Sequence, residues 1–217
     1  MPEPGPLSTP SAVRPSAPGT RDSGTRLAAR GRHIVLPIAL GLTATAAVLT
    51  SIAAAPNARG ALGAVLGCLM LAIAVIDARR FIIPNKLVAA GFALGLVHAG
   101  VAGSPDVVTG LAIATLRGAL LAAVFLAIRI GYRRLRGRDG IGLGDIKLAA
   151  VAGVWLDWQT IPLAIEVAAL SALGFYVWRQ WVLGQSLQLT TRLPLGLFLA
   201  PAIWLGWLVE VMLLTQR

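Results

Sequence analysis

The sequence predicts an all-α, polytopic membrane protein, a helical bundle with about seven transmembrane helices. The 217-residue chain is 57% hydrophobic, has a mean hydropathy of +0.78 and has only 13% charged residues. A soluble domain of this length needs more polar surface than these residues could supply. The apolar residues also come in long runs rather than at the spacing of an amphipathic helix, which is typical of membrane spans.

A helix needs about 20 residues to cross roughly 30 Å of hydrocarbon. The apolar runs predict spans near residues 34–55, 60–77, 86–103, 107–130, 145–157, 160–179 and 193–213. Residues 1–33 are rich in Pro, Ser, Gly and Arg without apolar periodicity, which predicts a disordered basic tail before a membrane-embedded domain over 34–217. The small residues at 53–55 leave open a cleaved signal sequence, but the length of the first run favours an uncleaved anchor.

The net charge of +10 is explained by topology. With a cytoplasmic N-terminus, sixteen of the nineteen Lys and Arg residues fall in the tail and inner loops, two lie outside, and Arg117 is within a span. This bias follows the positive-inside rule and predicts a multi-pass plasma (inner) membrane protein. Because no nucleic-acid-binding pattern is present, nucleic acid is not an expected partner. Trp155 and Trp158 are expected in an outer interfacial belt.

Two acidic residues lie at predicted cytoplasmic helix ends, each beside a turn signal. Asp77 closes the second span shortly before Pro84, and Asp145 opens the fifth span after a glycine-rich stretch, at the expected helix N-cap. Taken singly, Asp145 could be a simple N-cap, and Asp77 could pair with Arg79 or Arg80. Their shared side and paired motifs favour a functional carboxylate pair.

These motifs resemble those of the prepilin peptidases, also called type IV leader peptidases. The first family motif places an Asp seven residues before Pro-Asn, as Asp77 stands before Pro84 and Asn85. The second, Gly-x-Gly-Asp-x-Lys-Leu, and the third, Pro-x-Gly near the last span, are matched by Gly142, Gly144, Asp145, Lys147 and Leu148, and by Pro194 and Gly196. The resemblance spans roughly residues 35–213 and implies that Asp77 and Asp145 are the catalytic aspartates.

The resemblance implies a membrane aspartic endopeptidase that removes the basic leader from prepilin or pseudopilin precursors at the cytoplasmic face. Larger family members carry a tetracysteine zinc region linked to N-methylation, whereas this chain has the single Cys68. Peptidase activity without methylation, and without a metal or other cofactor, is therefore expected. The third motif usually continues as Gly-Pro, but Leu197 follows Gly196 here, so the surface there is expected to differ.

The helix ends suggest a division of roles between the carboxylates. An Asp145 anion would be favoured at a helix start, and a protonated Asp77 at a helix end, which makes Asp145 the expected base and Asp77 the expected acid. Between Asp145 and Asp157 a helix rises only about 18 Å, so Asp145 is expected to be recessed below the lipid surface.

Other polar residues within the spans have simpler interpretations. Arg117 and Glu166 are expected to form an intramembrane ion pair, since each is costly alone in lipid. His98 is expected to be a packed polar residue rather than a metal ligand, and Cys68 a buried small hydrophobe. Rival functions are another Gly-x-Gly-Asp protease acting on signal peptides or other membrane helices, and a transporter or structural membrane subunit. The intact aspartate pair argues against an inactive homologue.

Overall fold

The computed structural model describes residues 22–101, 106–137, 140–183 and 194–215, without the side chains of 22–36 and 214–215. Over these residues all regular structure is helical, in seven helices: α1 Asp22–Ala54, α2 Ala58–Arg80, α3 Asn85–Val101, α4 Val107–Arg136, α5 Leu143–Trp155, α6 Thr160–Leu183 and α7 Leu195–Thr215. The predicted all-α bundle of seven helices is confirmed.

The start of α1 differs from the predicted boundary. Residues 22–33, assigned to the tail, are helical and continuous with the first apolar run. Residues 1–21 of the predicted tail lie outside the described residues, as do Arg138, Asp139 and Arg192 of the predicted inner loops. The chain divides within α1 into one compact unit over Met1–Leu42 and another over Thr43–Arg217. The second unit contains every residue of the predicted site.

Five helices are long and apolar enough to cross a membrane: α2, α4, and most of α1, α6 and α7. The 17-residue α3 is shorter, and the 13-residue α5 is shorter still. The helix α5 contacts α3, α4 and α7, and eight of its residues are buried. Because α5 is surrounded by protein along much of its length, it does not need the length that spans a lipid bilayer.

Glycines allow α5 to lie close to its neighbours. A Cβ at Gly153 would stand 2.6 Å from the Arg117 carbonyl oxygen and 2.7 Å from the Gly118 Cα of α4. On α3, a Cβ at Gly95 would stand 2.6 Å from a methyl group of Val154. Small residues at these contacts let the helix backbones approach, which is how membrane helices gain packing energy. The C-terminal part of α5 is thereby held close to α3 and α4.

Contacts near the α5–α6 turn correct two predictions and agree with a third. Arg117 pairs with Asp157 in that turn, rather than with Glu166, whose side chain is exposed on α6. Trp155 is buried and donates its indole N–H to the Gly91 carbonyl at 2.9 Å, so it is a core residue and not part of an interfacial belt. Trp158 is 53% exposed, as an interfacial residue would be.

His98 and Cys68 have different outcomes. The His98 ring stacks on Trp155 with centroids 4.7 Å apart, and its Nε2 accepts the Trp207 indole N–H at 3.3 Å. His98 is therefore a packed polar residue, as predicted. Cys68 is exposed on α2, so the prediction that it is buried was wrong. Its exposure is compatible with an apolar helix that faces lipid over part of its surface.

Candidate active site

Asp77 lies in the last turn of α2 and is buried, with 5% of its surface exposed. The helix ends at Phe81, whose φ of 54° is left-handed and whose N–H donates to the Asp77 carbonyl at 2.8 Å. A bulky residue rarely adopts this conformation, and it costs on the order of 1–3 kcal/mol. The turn sends the chain back across the end of α2, toward Pro84 and the start of α3.

The N-terminus of α7 contacts the Asp77 carboxylate directly. The Leu197 N–H donates to Asp77 Oδ2 at 3.1 Å, and the same N–H lies 3.2 Å from the Pro194 carbonyl oxygen. A Cβ on Gly196 would stand 2.8 Å from Asp77 Oδ2, so only glycine leaves room for the carboxylate here. The third sequence motif therefore cradles Asp77, although its spacing alone did not identify a partner for it.

Asp145 is the third residue of α5, and Gly142 is the N-cap. The predicted position of Asp145 at the N-cap is therefore wrong, because the helix begins at Leu143 and includes the motif's second glycine. Asp145 is half-buried, and its Oδ2 accepts the Gly142 N–H at 3.1 Å. A carboxylate in this position satisfies a backbone donor that a helix start otherwise leaves free.

One hydrogen bond joins the first motif to the second. Lys147 Nζ donates to Asn85 Oδ1 at 2.8 Å, which links the first turns of α5 and α3. Pro84 precedes Asn85 and accepts the Leu87 and Val88 N–H groups through its carbonyl oxygen, at 3.1 and 3.2 Å. Asn85 and Lys147 thus hold α3 and α5 together near their starts, and Pro84 stabilises the first turn of α3.

Three residues that the sequence did not single out support the same region. Ile83 packs beside both Gly144 and Gly196, the glycines next to Asp145 and near Asp77. On α4, Arg129 Nη1 donates to the Ile141 carbonyl at 2.5 Å, and the Tyr132 ring lies against Gly140. The sequence did show Arg129 as a basic residue at an inner helix end, but we used it only as evidence for the membrane orientation.

The two carboxyl groups are electrostatically coupled. Burial raises the pKa of the Asp145 carboxyl to about 6, the Gly142 N–H lowers it, and the negative charge of Asp77 raises it further. Asp145 lies outside the five spans. Two like charges that interact in this way ionise one after the other, with the first proton lost at lower pH. The pair can therefore keep one of its two protons at a pH at which an isolated aspartic acid has already lost its own.

The geometry does not support assigning separate acid and base roles from the positions of the two aspartates at helix ends. Asp77 is near the C-terminal end of α2, but it also receives an N–H from the first turn of α7, which favours its anion. Asp145 receives a comparable N–H from Gly142. Since each carboxylate has a backbone donor at a helix start, helix position does not distinguish the base from the acid.

Metal-ligand chemistry has no visible site in the described part of the chain. No group of three or more His, Cys, Asp and Glu side chains stands close enough there to hold a metal ion. The chemistry that the site offers is that of two carboxyl groups and the backbone N–H groups beside them.

A model of the type IV leader peptidase family matches residues 64–177, more than half of the chain. The chain belongs to the type IV leader peptidase family. The match includes Asp77 and Asp145 but ends before Pro194. Together with the five long apolar helices, membership in this family makes the chain a multi-pass membrane protein.

Curated relatives agree with this family. The chain is 32% identical to leader peptidase HopD of Escherichia coli over 142 residues, covering 64% of this chain and 88% of that protein. It is 34% identical to HopD of Salmonella typhimurium over 143 residues, covering 64% and 87%. It is 32% identical to the prepilin leader peptidase/N-methyltransferase of E. coli K12 over 110 residues, covering 51% and 47%.

The chain thus spans about half the length of the relatives named prepilin leader peptidase/N-methyltransferase, and most of the length of HopD. No solved structure matches it.

Proposed function

We propose that this chain is an aspartic endopeptidase that removes the basic leader from type IV pilin-like precursors. The observation that carries the proposal is the meeting of three motifs around two carboxylates. Asp77 accepts an N–H from α7, Asp145 accepts one from the α5 N-cap, and Lys147 ties α5 to Asn85. Family membership and the names of the relatives support a peptidase acting on prepilins.

The proposed chemistry uses one ionised and one protonated carboxyl group. The carboxylate takes a proton from a water molecule as the water oxygen attacks the scissile carbonyl carbon, and the carboxylic acid donates its proton to the carbonyl oxygen. When the C–N bond breaks, the leaving nitrogen receives the proton that the first carboxylate had taken, and a hydroxyl of the tetrahedral intermediate returns its proton to the second carboxylate as the product acid forms. The acid and base roles belong to the pair and are not assigned to Asp77 or Asp145 separately, because each carboxylate has its own backbone donor.

The proposed location is the plasma (inner) membrane, with the N-terminus and the aspartate pair on the cytoplasmic side. Sixteen of the nineteen basic residues fall in the tail and predicted inner loops under this orientation, which supports it. We further propose that residues 34–217 form the peptidase domain and that 1–33 precede it as a basic segment. We do not propose N-methyltransferase activity for this chain, because it covers only about half of the relatives whose names include that activity.

The test is co-expression with candidate prepilins, with leader removal followed by the mobility and N-terminal sequence of the product. The variants are Asp77→Asn and Asp145→Asn. Asp106→Asn is the matched control, because Asp106 is an exposed N-cap of α4 and asparagine caps helices equally well. Leader removal is expected to be lost in the first two variants and kept in the control.

Cleavage that persists in either site variant would contradict the proposed chemistry. The rival within the same class of protease predicts a different pattern. In that case the wild type leaves every prepilin intact but cleaves another membrane helix, and this cleavage is lost in Asp77→Asn and Asp145→Asn.

A further inference from the structure

We propose that Ile83 is a positioning residue that sets the separation between the Asp77 and Asp145 carboxylates. Ile83 lies in the turn between α2 and α3, outside the residues that define the family motifs. The inference rests on the proposed function, since it concerns the same carboxylate pair. It assigns to an apolar side chain the task of holding two acidic groups at a fixed distance.

The contact of Ile83 with the Asp145 side is made through Gly144. A Cβ on Gly144 would stand 3.0 Å from Ile83 Cβ and 3.2 Å from both its Cγ1 and Cδ1. The Ile83 side chain therefore lies flat against the backbone of the residue that precedes Asp145. Since Gly144 is already within the first turn of α5, this contact limits how close that turn can come to the end of α2.

The contact on the Asp77 side is made through Gly196. A Cβ on Gly196 would stand 2.9 Å from Ile83 Cδ1 and 2.8 Å from Asp77 Oδ2. The Ile83 methyl group and the Asp77 carboxylate therefore share the space in front of the same glycine. The Ile83 side chain thus separates the start of α5 from the start of α7, whose Leu197 N–H holds Asp77.

The chain around Ile83 is rigid enough for this role. Phe81 holds the turn in a left-handed conformation, and Pro84 fixes the backbone on the other side. The next residue, Asn85, is tied to Lys147 by a hydrogen bond of 2.8 Å. A β-branched side chain is stiff at χ1, so Ile83 has little freedom to move aside. Ile83 also packs at the edge of the hydrophobic core.

Removing the side chain has a predictable electrostatic result. Without the Ile83 methyl groups, the first turns of α5 and α7 can approach, and the two carboxylates come closer together. Closer carboxylates repel each other more strongly when both are ionised, so the two protons are lost over a wider range of pH. An approach of about 1 Å widens the gap between the two apparent pKa values by about half a pH unit.

The experiment measures the ionisation of the pair without depending on cleavage. Infrared titration of the purified full-length protein follows the carboxyl C=O band, which is assigned by its loss in Asp77→Asn and Asp145→Asn. The variants are Ile83→Ala and Ile83→Val, and Ile82→Ala is the matched control, because Ile82 is the adjacent isoleucine and is 62% exposed. Val lacks only Cδ1, so it keeps the Cβ and Cγ1 contacts with Gly144 and loses the Cδ1 contacts with both Gly144 and Gly196.

The gap between the two apparent pKa values is expected to widen most in Ile83→Ala, less in Ile83→Val, and not at all in Ile82→Ala. The charged groups nearby, Lys147, Arg129, Arg79 and Arg80, are the same in all these proteins and do not produce the difference. A purely structural role would lower the unfolding temperature without changing the gap, and that result would overturn the proposal.

If Ile83→Ala does not fold, the titration of Ile83→Val decides the question. An unchanged gap in Ile83→Val, or an equal shift in Ile82→Ala, would also overturn the role of Ile83. Failure of the proposed function looks different, because it appears as cleavage by Asp77→Asn or Asp145→Asn whatever the titration of the Ile83 variants shows.

Discussion

Substituting Gly196 by alanine should impair catalysis while the bundle stays folded. The added Cβ would stand 2.8 Å from Asp77 Oδ2 and 2.9 Å from Ile83 Cδ1, which is closer than these atoms can remain. The carboxylate must move, and it then loses the Leu197 N–H that it accepts at 3.1 Å. A hydrogen bond to a charged group contributes about 1.5–3 kcal/mol, so kcat/KM for leader removal should fall by about 10- to 150-fold.

The assay compares kcat/KM for leader removal with the unfolding temperature of the same purified preparations. Gly174→Ala is the matched control, because Gly174 is a helical glycine of α6 with nothing within 4 Å of an added Cβ. It should keep wild-type activity, with a stability equal to or about 0.5–1 kcal/mol above the wild type. Wild-type kcat/KM in Gly196→Ala, or an equal loss in Gly174→Ala, would refute the reasoning.

Three further predictions concern ionisation and polar contacts. The pH profile of kcat/KM should have an alkaline limb controlled by the coupled pair; because burial raises the pKa of Asp145 to about 6 and the proposed chemistry needs one protonated carboxyl, activity should fall as that proton is lost above about pH 6. A profile that is flat from pH 5 to 7, about one pH unit to either side of that limb, would contradict this prediction. Lys147→Met and Asn85→Ala should show a coupling of about 1 kcal/mol in a double-mutant cycle on kcat/KM, whereas strictly additive losses would show that their 2.8 Å contact has no role. Arg117→Gln and Asp157→Asn should show a coupling of no more than about 1 kcal/mol in unfolding free energy, because the Asp157 side chain is 66% exposed and solvent screens the pair; a larger coupling would show that the pair is shielded from water.

The fold was predictable because each helix has a local cause. Apolar runs of membrane-spanning length gave most of the helices, and glycine and proline marked the turns between them. The short α5 followed from the distance between Asp145 and Asp157, although the helix begins and ends two residues earlier than predicted. The reason for its shortness, burial against α3, α4 and α7, depends on packing that no local pattern contains.

The part of the site that lies within the sequence motifs was predictable. The two aspartates and the third motif were identified, and the structure brings the α7 start to Asp77. The partner of Arg117 was not predictable, because the sequence offers two acidic residues, Asp157 and Glu166, and only the fold selects Asp157. Ile83 gave no signal at all, since an isoleucine before a proline resembles any other apolar residue. Its importance comes from two glycines that are distant in the sequence.

The central claim is that Asp77 and Asp145 act as one unit, and the most direct test is the single-turnover rate of leader removal by Asp77→Asn, Asp145→Asn and the double variant. Residues that act together lose their effect together, so either single substitution should abolish cleavage and the second should add nothing. The claim would be contradicted if one single variant kept most of the wild-type rate, or if two partial losses multiplied in the double variant.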